Sequence, residues 1–478
     1  MMNRVVKPVR NFKLYTGAAA LSLMFYGCSN SCSDKITDIH LSSPDGNALK
    51  IQVDVRTKEI LDVRIKYWPK GNERHTFSTP VSRDDRNHRV VLTNLKPLQE
   101  YGYRIETSNE KCTSESKSYS FTTLDYPMWL KDIFKVICPD TLVLPKNFRE
   151  GYLMIFRRET PGILFFLNSR GEVAWYHQVN GTGFKTAHFT RDNTIIALLG
   201  TADYQTSYGN EIMELSLAGD TVFHIKKGEG DFKQTVHHEV LLNNKNQVVT
   251  ICSEERVTDL RARGGREADT VKSDGILVMD KTGKQIWKWT VFDTLNPLDD
   301  KNIIKDKSDW MHANCLNFDT DGNYLLSFYN NGQIWKIDVK TGKVIWKFGK
   351  GGDFEMPANG IFDNSHAVYI NARNQLMLFD NGTSKLLSRT LAFSLDEKNK
   401  EAKLALNIPL PSELYSERMG SAYFVGDSTV LHSSSKKNIV VLTNLEGRYL
   451  WVLRTGFMPY RAEFIPAERL APYIRAIE

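Results

Sequence analysis

The sequence predicts an all-β protein, a six-bladed β-propeller preceded by a small β-sandwich. Three observations predict it. A polar turn with glycine recurs along the chain, an aromatic residue follows each of these glycines at a fixed distance, and histidines recur at the beginnings of apolar strands. Units of roughly 50 residues with four short strands each are typical of propellers. A solenoid is the alternative, but this span lacks the helical periodicity that helical solenoids need.

The glycine turns set the period of the repeat. In each unit an aromatic residue follows the glycine by four positions: Gly171 with Trp175, Gly219 with Phe223, Gly283 with Trp287, Gly342 with Trp346, and Gly447 with Trp451. Glycine supplies the positive φ of a tight hairpin, and we expect the aromatic side chain to fill the gap between neighbouring sheets. The last interval is about twice as long as the others. One unit therefore lacks its glycine, and 396–400 is expected to form its turn.

The repeat divides the propeller region into six blades. Their predicted ranges are 140–180, 181–230, 231–295, 305–350, 355–412 and 413–462. A polar insertion at 253–275 lies inside the third blade and is too charged and glycine-rich to belong to a core. Long insertions in propellers lie on a face and often shape the entrance. A solvated loop without a role is the alternative.

Residues 29–125 are predicted to form a separate β domain, which leaves 126–478 for the propeller domain. Residues 49–55 alternate between apolar and polar side chains, as in a half-buried strand. The segment 95–105, which contains Tyr101, resembles the E–F corner of fibronectin type III domains, where a tyrosine packs over the sheet. This resemblance implies a sandwich of the fibronectin type III or immunoglobulin-like kind.

The first 28 residues, 1–28, are interpreted as a lipoprotein-type signal peptide. A basic start precedes an apolar run, 14–26, that is too short for a membrane span. The run ends at Gly27 and Cys28, which resembles a bacterial lipobox whose cysteine is lipidated. An ordinary signal peptide and an uncleaved anchor are the alternatives, and all three export the protein. We therefore expect a periplasmic or cell-surface lipoprotein of a Gram-negative bacterium, held at the membrane by a lipid on Cys28.

Composition and cysteine usage narrow the classes of function. The chain has 478 residues and a net charge of +6 without a lysine or arginine block, so nucleic acid is not an expected partner. Cys32 and Cys112 both fall in the first domain and can pair in an oxidising compartment. Cys138, Cys252 and Cys315 are interpreted as isolated buried thiols. No spacing of cysteine and histidine indicates structural zinc.

Histidines recur at one place in the repeat. Each is followed by an apolar run, a turn and a second apolar run: His188, His238, His312 and His366. When the same strand of successive units begins with a histidine, several imidazoles are placed around one axis. Such an arrangement suits nucleophilic and acid–base chemistry. We interpret His188 as structural and the other three as functional.

Three of these histidines lie in longer motifs. The first motif is Asp-Trp-Met-His-Ala-Asn at 309–314, which is accompanied by the segments 321–326, 334–338 and 342–346. The second is Ser-His-Ala at 365–367, accompanied by 378–382, and the third is His-His-Glu at 237–239. A fourth motif, Pro-Tyr-Arg-Ala at 459–462, contains no histidine. Together they resemble the bacterial arylsulfate sulfotransferases over about 140–465. The resemblance implies a propeller enzyme that moves a sulfuryl group from an aryl sulfate donor to a phenolic acceptor. It implies no nucleotide donor, no metal and no other cofactor.

The resemblance also implies roles for individual residues. His366 is the implied nucleophile, which becomes transiently sulfated in a ping-pong reaction. His312 and Asn314 are expected to hold the sulfuryl group during transfer. His238 completes the cluster, with His237 as its neighbour.

Substrate contacts are expected from Tyr329, Tyr460 and Arg461. The family usually has an arginine in the strand after the Asp-Gly-Asn turn of the central blade, whereas 327–331 holds none and Tyr329 stands at or beside its place. A guanidinium is one of the best partners of a sulfate oxygen, and Arg461 is the expected substitute. A propeller closure element is the alternative interpretation of Tyr460 and Arg461.

The implied chemistry agrees with general principles. A neutral imidazole can attack sulfur, and the N-sulfo product is reactive enough to pass the group on. Fixed hydrogen-bond donors stabilise the charge on the outer oxygens as it redistributes. The leaving phenolate, whose phenol has a pKa of roughly 10, needs only one positioned acid.

Other functions stay open at this point. Three convergent imidazoles are also a possible zinc site. An exported, lipid-anchored propeller can act as a binding protein with weak or no catalysis. A nucleotide-dependent sulfotransferase is disfavoured because 349–352 lacks the strand–loop–helix setting of a phosphate loop. The oligomeric state is open, with a homodimer as one alternative.

Overall fold

The computed structural model describes residues 32–137, 144–204 and 207–475. The chain divides into two compact units, Asp132–Arg469 and a smaller one formed by the residues before Asp132 together with those from Leu470 onward. The predicted signal peptide and the lipidation site Cys28 lie outside the described residues, as does Cys138. Among the helices of the described ranges, none combines the length and the apolar character needed to span a membrane.

The smaller unit is a curled sheet of seven strands. The strands are β1 Ile36–Ser42, β2 Ile51–Pro69, β3 Phe77–Ser78, β4 Ser82–Leu92, β5 Glu100–Ser108, β6 Thr113–Glu115 and β7 Tyr119–Thr122. The first half of β2 pairs with β1 and β4, and its second half pairs with β5. Apolar side chains from both halves of β2 and from β4, β5 and β7 meet in one core. The fibronectin type III resemblance of this unit stays a prediction.

Two local features of this unit agree with the sequence. The buried Tyr101 hydroxyl accepts a hydrogen bond of 2.8 Å from the backbone N–H of Lys96, which is the contact that a tyrosine corner makes. Cys32 and Cys112 are joined by a disulfide, with 6.0 Å between their Cα atoms. In the larger unit, Cys252 and Cys315 are buried thiols, as expected.

The larger unit is a propeller of six sheets, which confirms the predicted fold class. The first blade consists of β9 Tyr152–Arg157, β10 Gly162–Leu167 and β11 Val173–Val179. The second consists of β12 Gly183–Phe189, β13 Ile195–Gly200, β15 Glu211–Leu215 and β16 Thr221–Lys226. The third consists of β14 Tyr208–Gly209, β17 Val236–Leu242, β18 Val248–Thr258, β19 Asp269–Met279 and β20 Gln285–Thr290.

The other three blades follow in chain order. The fourth blade consists of β21 Ala313–Phe318, β22 Tyr324–Phe328, β23 Gln333–Ile337 and β24 Val344–Gly349. The fifth consists of β25 His366–Ile370, β26 Leu376–Asp380, β27 Arg389–Asp396 and β28 Glu401–Pro409. The sixth consists of β29 Ser421–Val425, β30 Thr429–Ser434, β31 Ile439–Asn444 and β32 Tyr449–Thr455. Helices are short: α1 Lys146–Glu150, α2 Ile303–Asp306 and α3 Ala467–Leu470. The strands from β9 to β32 fall within the predicted ranges of their blades, except β14, which lies in the range predicted for the second blade but pairs with β17 of the third.

Two short strands from the ends of the larger unit close the ring. β33 (Glu463–Ile465) adds to β9 at the inner edge of the first blade, and β8 (Phe134–Val136) adds to β32 at the outer edge of the sixth. Both unpaired edges are thereby covered with backbone hydrogen bonds. Tyr460 and Arg461 lie shortly before β33, which agrees with the closure interpretation of this segment.

The repeated glycines form turns, and the tryptophans that follow them contact the neighbouring blade, as the sequence predicts. Gly171 and Gly219 both adopt positive φ, at 78° and 94°. The indole N–H of Trp175 donates to the carbonyl of Leu217, two residues before Gly219 in the next blade. The indole of Trp451 donates in the same way to Ser169, two residues before Gly171. The repeated tryptophan thus joins each of these blades to the turn of its neighbour. The expected turn without glycine also forms, between β27 and β28.

The insertion of the third blade is a folded extension of its β18–β19 hairpin. The two strands pair continuously from Val248 with Met279 to Thr258 with Asp269. The carbonyl of Lys272 accepts a hydrogen bond of 2.9 Å from the backbone N–H of Trp310. The base of the insertion therefore packs on the loop that leads to His312, which favours the predicted position at the site over a solvated loop without a role.

Candidate active site

The three predicted site histidines stand at irregular points of neighbouring strands. His238 lies in β17, His312 directly precedes β21, and His366 begins β25. Strand pairing is shifted at each of these places, as in a β-bulge. The φ angles of His238, His312 and Ala367 are 59°, 56° and 50°, in the left-handed region that residues with a Cβ rarely adopt. Bulges and such strained residues cluster at functional sites, where they aim side chains.

The side chains of these histidines come together at the centre of the propeller. The ring centroids of His238 and His312 are 5.0 Å apart. The ring of Tyr329 lies 5.6 Å from His312 and 5.5 Å from His366, so it connects the two. Three blades therefore contribute to one continuous group of rings, as the sequence predicts.

The environment of His366 fixes its tautomer. Its Nδ1 lies 2.6 Å from Asn381 Oδ1. The Asn381 amide nitrogen donates to the carbonyls of Ser416 and Met419, which leaves Oδ1 as the acceptor end of the amide. Nδ1 of His366 therefore carries the hydrogen, and Nε2 carries the lone pair. The backbone N–H of Met419 reaches Nε2 at 3.3 Å, a long and weak hydrogen bond.

His366 is a neutral imidazole at working pH. The residue is 3% exposed. Burial lowers the pKa of His366 to about 3, although the hydrogen bond to Asn381 acts in the opposite direction. A ring that stays neutral and presents a lone pair on Nε2 is suited to nucleophilic attack.

His312 is placed to carry a proton. Its Nδ1 lies 2.7 Å from Asp309 Oδ2, and its side chain is 24% exposed. Burial acts to lower the pKa of His312, but the hydrogen bond and charge of Asp309 outweigh it, so the pKa is raised above its ordinary value. His312 can therefore act as an acid beside the neutral His366.

His238 is held through its neighbour in sequence. Its Nδ1 lies 2.8 Å from His237 Nδ1, and burial, with His237 and His312 nearby, holds the pKa of His238 well below its ordinary value. Asp274 Oδ1 lies 3.2 Å from His237 Nε2, without the alignment of a hydrogen bond. The other oxygen of Asp274 accepts a hydrogen bond of 2.8 Å from the Ala313 N–H, next to His312.

Asp274 is a residue that sequence reasoning missed. It lies on β19 at the end of the predicted insertion, is 4% exposed, and contacts both β17 and β21. The only signal in the sequence was its place at the boundary of a polar insertion inside a repeat with histidines.

Asn314 contacts the backbone that precedes His366. Its amide nitrogen donates to the carbonyl of Ser365 at 2.8 Å. Its Oδ1 is buried and has no hydrogen-bond partner among the described residues. This arrangement makes Asn314 a positioning residue for His366, and its predicted contact with the sulfuryl group stays a prediction.

The three residues expected to contact substrate have different surroundings. The Tyr329 hydroxyl donates to the carbonyl of Glu417 at 3.0 Å, so only its ring faces the histidines. Arg461 is 2% exposed and forms an ion pair of 2.5 Å with Glu239. Tyr460 is buried, with the guanidinium of Arg461 5.2 Å from its ring centroid. Substrate contact by these residues stays a prediction.

His188 belongs to the same buried ion network as Arg461. Its two ring nitrogens contact the carboxylates of Glu239 and Glu463. Burial acts against protonation, but the two carboxylates raise the pKa of His188 to about 9. The charged imidazolium links β12, β17 and β33, which agrees with its interpretation as a structural histidine.

The described residues offer no metal centre in this region. Over 32–137, 144–204 and 207–475, no group of three or more His, Cys, Asp or Glu side chains is arranged to hold a metal ion.

The profile of the arylsulfotransferase (ASST) family matches residues 143–447. No curated protein sequence matches the chain. Solved structures similar to it include a protein of unknown function from Bacteroides caccae (9% identity, TM-score 0.43, covering 66% of this chain and 99% of that one). Virginiamycin B lyase from Staphylococcus aureus is another (8% identity, TM-score 0.36, covering 66% and 87%). At such scores neither structure informs function. The profile match spans most of the propeller, and the chain belongs to the arylsulfotransferase (ASST) family.

Proposed function

We propose that the protein transfers a sulfuryl group from an aryl sulfate ester to a phenolic acceptor through a sulfated His366, in a ping-pong reaction. Family membership supports aryl sulfotransferase activity in general. One observation carries the finer proposal. His366 is a buried neutral imidazole whose Nδ1–H is anchored on Asn381, so that Nε2 presents its lone pair.

The first half-reaction forms the covalent intermediate. Nε2 of His366 attacks sulfur, the Nε2–S bond forms, and the bond between sulfur and the aryl oxygen breaks. His312, whose pKa is raised by Asp309 against the effect of burial, gives its proton to the departing aryl oxide. The Nδ1–H of the sulfated ring keeps its hydrogen bond to Asn381, and the positive charge on that ring keeps the group reactive.

The second half-reaction returns the site to its starting state. His312, now neutral, accepts the proton of the phenolic acceptor as its oxygen attacks sulfur. The Nε2–S bond breaks and His366 recovers its lone pair. Both half-reactions use the same acid and base with opposite proton movements, so one site serves donor and acceptor in turn.

The cellular setting is a further part of the proposal. We infer from the sequence of 1–28 that the protein is exported and attached to a membrane by a lipid on Cys28, where small aryl sulfates and phenols are its partners. A binding role without catalysis is not favoured by any feature of the site.

Turnover of para-nitrophenyl sulfate with a phenol acceptor tests the proposal. Wild-type protein should release nitrophenolate and form the acceptor's sulfate ester, and His366→Asn should lose this activity. His224→Asn is a matched control, because it removes a partly exposed imidazole on β16 that pairs with Glu211. The proposal fails if wild type is inactive with a broad set of donors, or if His366→Asn retains wild-type turnover.

A further inference from the structure

We propose that Arg158, contributed by the first blade, supplies the guanidinium that binds the sulfuryl oxygens beside His366. This inference rests on the proposed function and adds a residue from a blade that provides none of the three histidines. Arg158 directly follows β9 and is 2% exposed.

The guanidinium contacts the segment that holds the nucleophile. Arg158 Nη1 lies 3.1 Å from the Met419 sulfur. The backbone N–H of the same methionine lies 3.3 Å from His366 Nε2. Met419 therefore contacts both the guanidinium, through its sulfur, and the nitrogen that would bear the sulfuryl group, through its backbone N–H.

The other side of the guanidinium contacts the segment that holds His238. Arg158 Nη2 donates to the Ser207 hydroxyl at 2.9 Å. The carbonyl of Ser207 accepts a hydrogen bond of 3.0 Å from the backbone N–H of His238. Arg158 thus lies between the segments that position two of the three site histidines, and its positive charge contributes to the low pKa of His238.

An aromatic face orients the guanidinium. The Arg158 guanidinium carbon lies 4.3 Å from the centroid of the buried Tyr460 ring. Stacking of this kind fixes the plane in which the N–H groups point. Tyr460 therefore acts as a platform for the arginine, which gives it a role at the site beyond closure of the ring.

The electrostatic surroundings of Arg158 favour an anion. Burial lowers the pKa of Arg158 to about 10, and Arg461 and Arg418 act in the same direction against Tyr460 and Glu159. The group stays protonated at neutral pH, at a cost that a bound anion would reduce. Tyr329 cannot serve in this way, because it carries no charge and its hydroxyl is engaged by Glu417.

The chemical role follows from the shape of the group. The three outer oxygens of the sulfuryl group carry negative charge before, during and after transfer. A planar guanidinium can hold two of them with parallel hydrogen bonds. Arg158 would accordingly strengthen donor binding and keep sulfur aligned with Nε2 of His366.

Steady-state kinetics of Arg158→Met and Arg158→Lys in the full chain test the inference. With para-nitrophenyl sulfate, Arg158→Met should lower kcat/KM for the donor about 100-fold, with a raised donor KM. Arg158→Lys should recover part of the loss, because it keeps the charge without the planar fork. Arg157→Met is the matched control, since Arg157 is adjacent, partly exposed and paired with Glu159. Its kinetics should stay within about twofold of wild type.

A binding measurement separates this inference from the proposed function. Calorimetry of para-nitrophenyl sulfate on His366→Asn needs no turnover, and adding Arg158→Met should weaken binding at least about tenfold, whereas adding Arg157→Met should not. Failure of turnover in wild type would contradict the proposed function alone. The inference about Arg158 is overturned if a folded Arg158→Met or Arg158→Lys variant binds and processes the donor as the Arg157→Met control does.

Discussion

The 2.6 Å hydrogen bond between His366 and Asn381 decides which nitrogen of the histidine is available for chemistry. Asn381 is itself held by two backbone carbonyls, so it accepts from Nδ1 and cannot donate to it. The lone pair of His366 is therefore confined to Nε2. An asparagine does this without adding negative charge, so burial outweighs its hydrogen bond and the pKa of the imidazole stays low.

Substitution of Asn381 should impair the chemical step more than donor binding. Asn381→Ala removes the donor of the Met419 carbonyl and leaves the His366 Nδ1–H with only a long contact of 3.4 Å to the Asn364 carbonyl, which should cost about 1–3 kcal/mol of unfolding free energy. The unanchored ring can adopt the wrong tautomer, so kcat should fall roughly 100-fold while the donor KM changes little. Steady-state kinetics and chemical denaturation check the two effects. An unchanged kcat would contradict the role given to Asn381.

The pH dependence of the reaction should respond to Asp309. Protonated His312 is the proposed acid of the first half-reaction, so kcat/KM for the donor falls as pH rises through the pKa of His312. Asp309→Asn removes the group that raises this pKa, and the falling limb of the profile should move to lower pH. The shift should be larger with phenyl sulfate than with para-nitrophenyl sulfate, because the poorer leaving group needs the proton more. Identical profiles for variant and wild type would remove His312 as the acid.

Asp274 should matter because it joins two strands of the site. Asp274→Ala removes the acceptor of the Ala313 N–H and the carboxylate beside His237, so His238 and His312 lose a shared support. We expect kcat to fall roughly tenfold or more, with the propeller still folded. Glu255→Gln, which changes an exposed carboxylate of the same hairpin, is the control and should behave as wild type. Equal activity of the two variants would show that Asp274 has no positioning role.

The buried ion network should make stability depend on pH. The pKa of His188 rises from 6.5 when unfolded to about 9 in the folded chain. Its stabilising effect is complete below pH 6.5 and is lost as pH rises through 9. This corresponds to at most about 3 kcal/mol. Denaturation of wild type should show the decline, and His188→Gln should lack it. His224→Gln should keep the wild-type slope, and a wild-type stability that is flat over this range would refute the assignment.

Much of the fold could be predicted because its signals are local. Each glycine turn requires a positive φ, and each tryptophan that follows packs on the next blade, so both leave a period in the sequence. The closing strands β8 and β33 have three residues each, too few for a periodic pattern. They exist because the ring must pair its two ends, which is a property of the closed sheet and not of the segment.

The site could be predicted only in part for a similar reason. His366 and Asn381 lie in motifs of one blade, and His238 and His312 share a place in the repeat. Arg158 and Asp274 have no such marker. They reach the site because the ring brings a residue after β9 and a residue of β19 next to histidines that are distant in sequence. Propensity and periodicity do not encode a contact of this kind.

Mass spectrometry of the covalent intermediate tests the central claim most directly. Wild-type protein is mixed with excess para-nitrophenyl sulfate without an acceptor, digested at neutral to basic pH, and mapped. The account predicts a mass increase of one SO3 group on the peptide that contains His366, localised to that histidine and discharged when a phenol is added before digestion. Two results would contradict the sulfated His366 intermediate. One is turnover without such an adduct, and the other is an adduct on another residue that a phenol discharges at the rate of turnover.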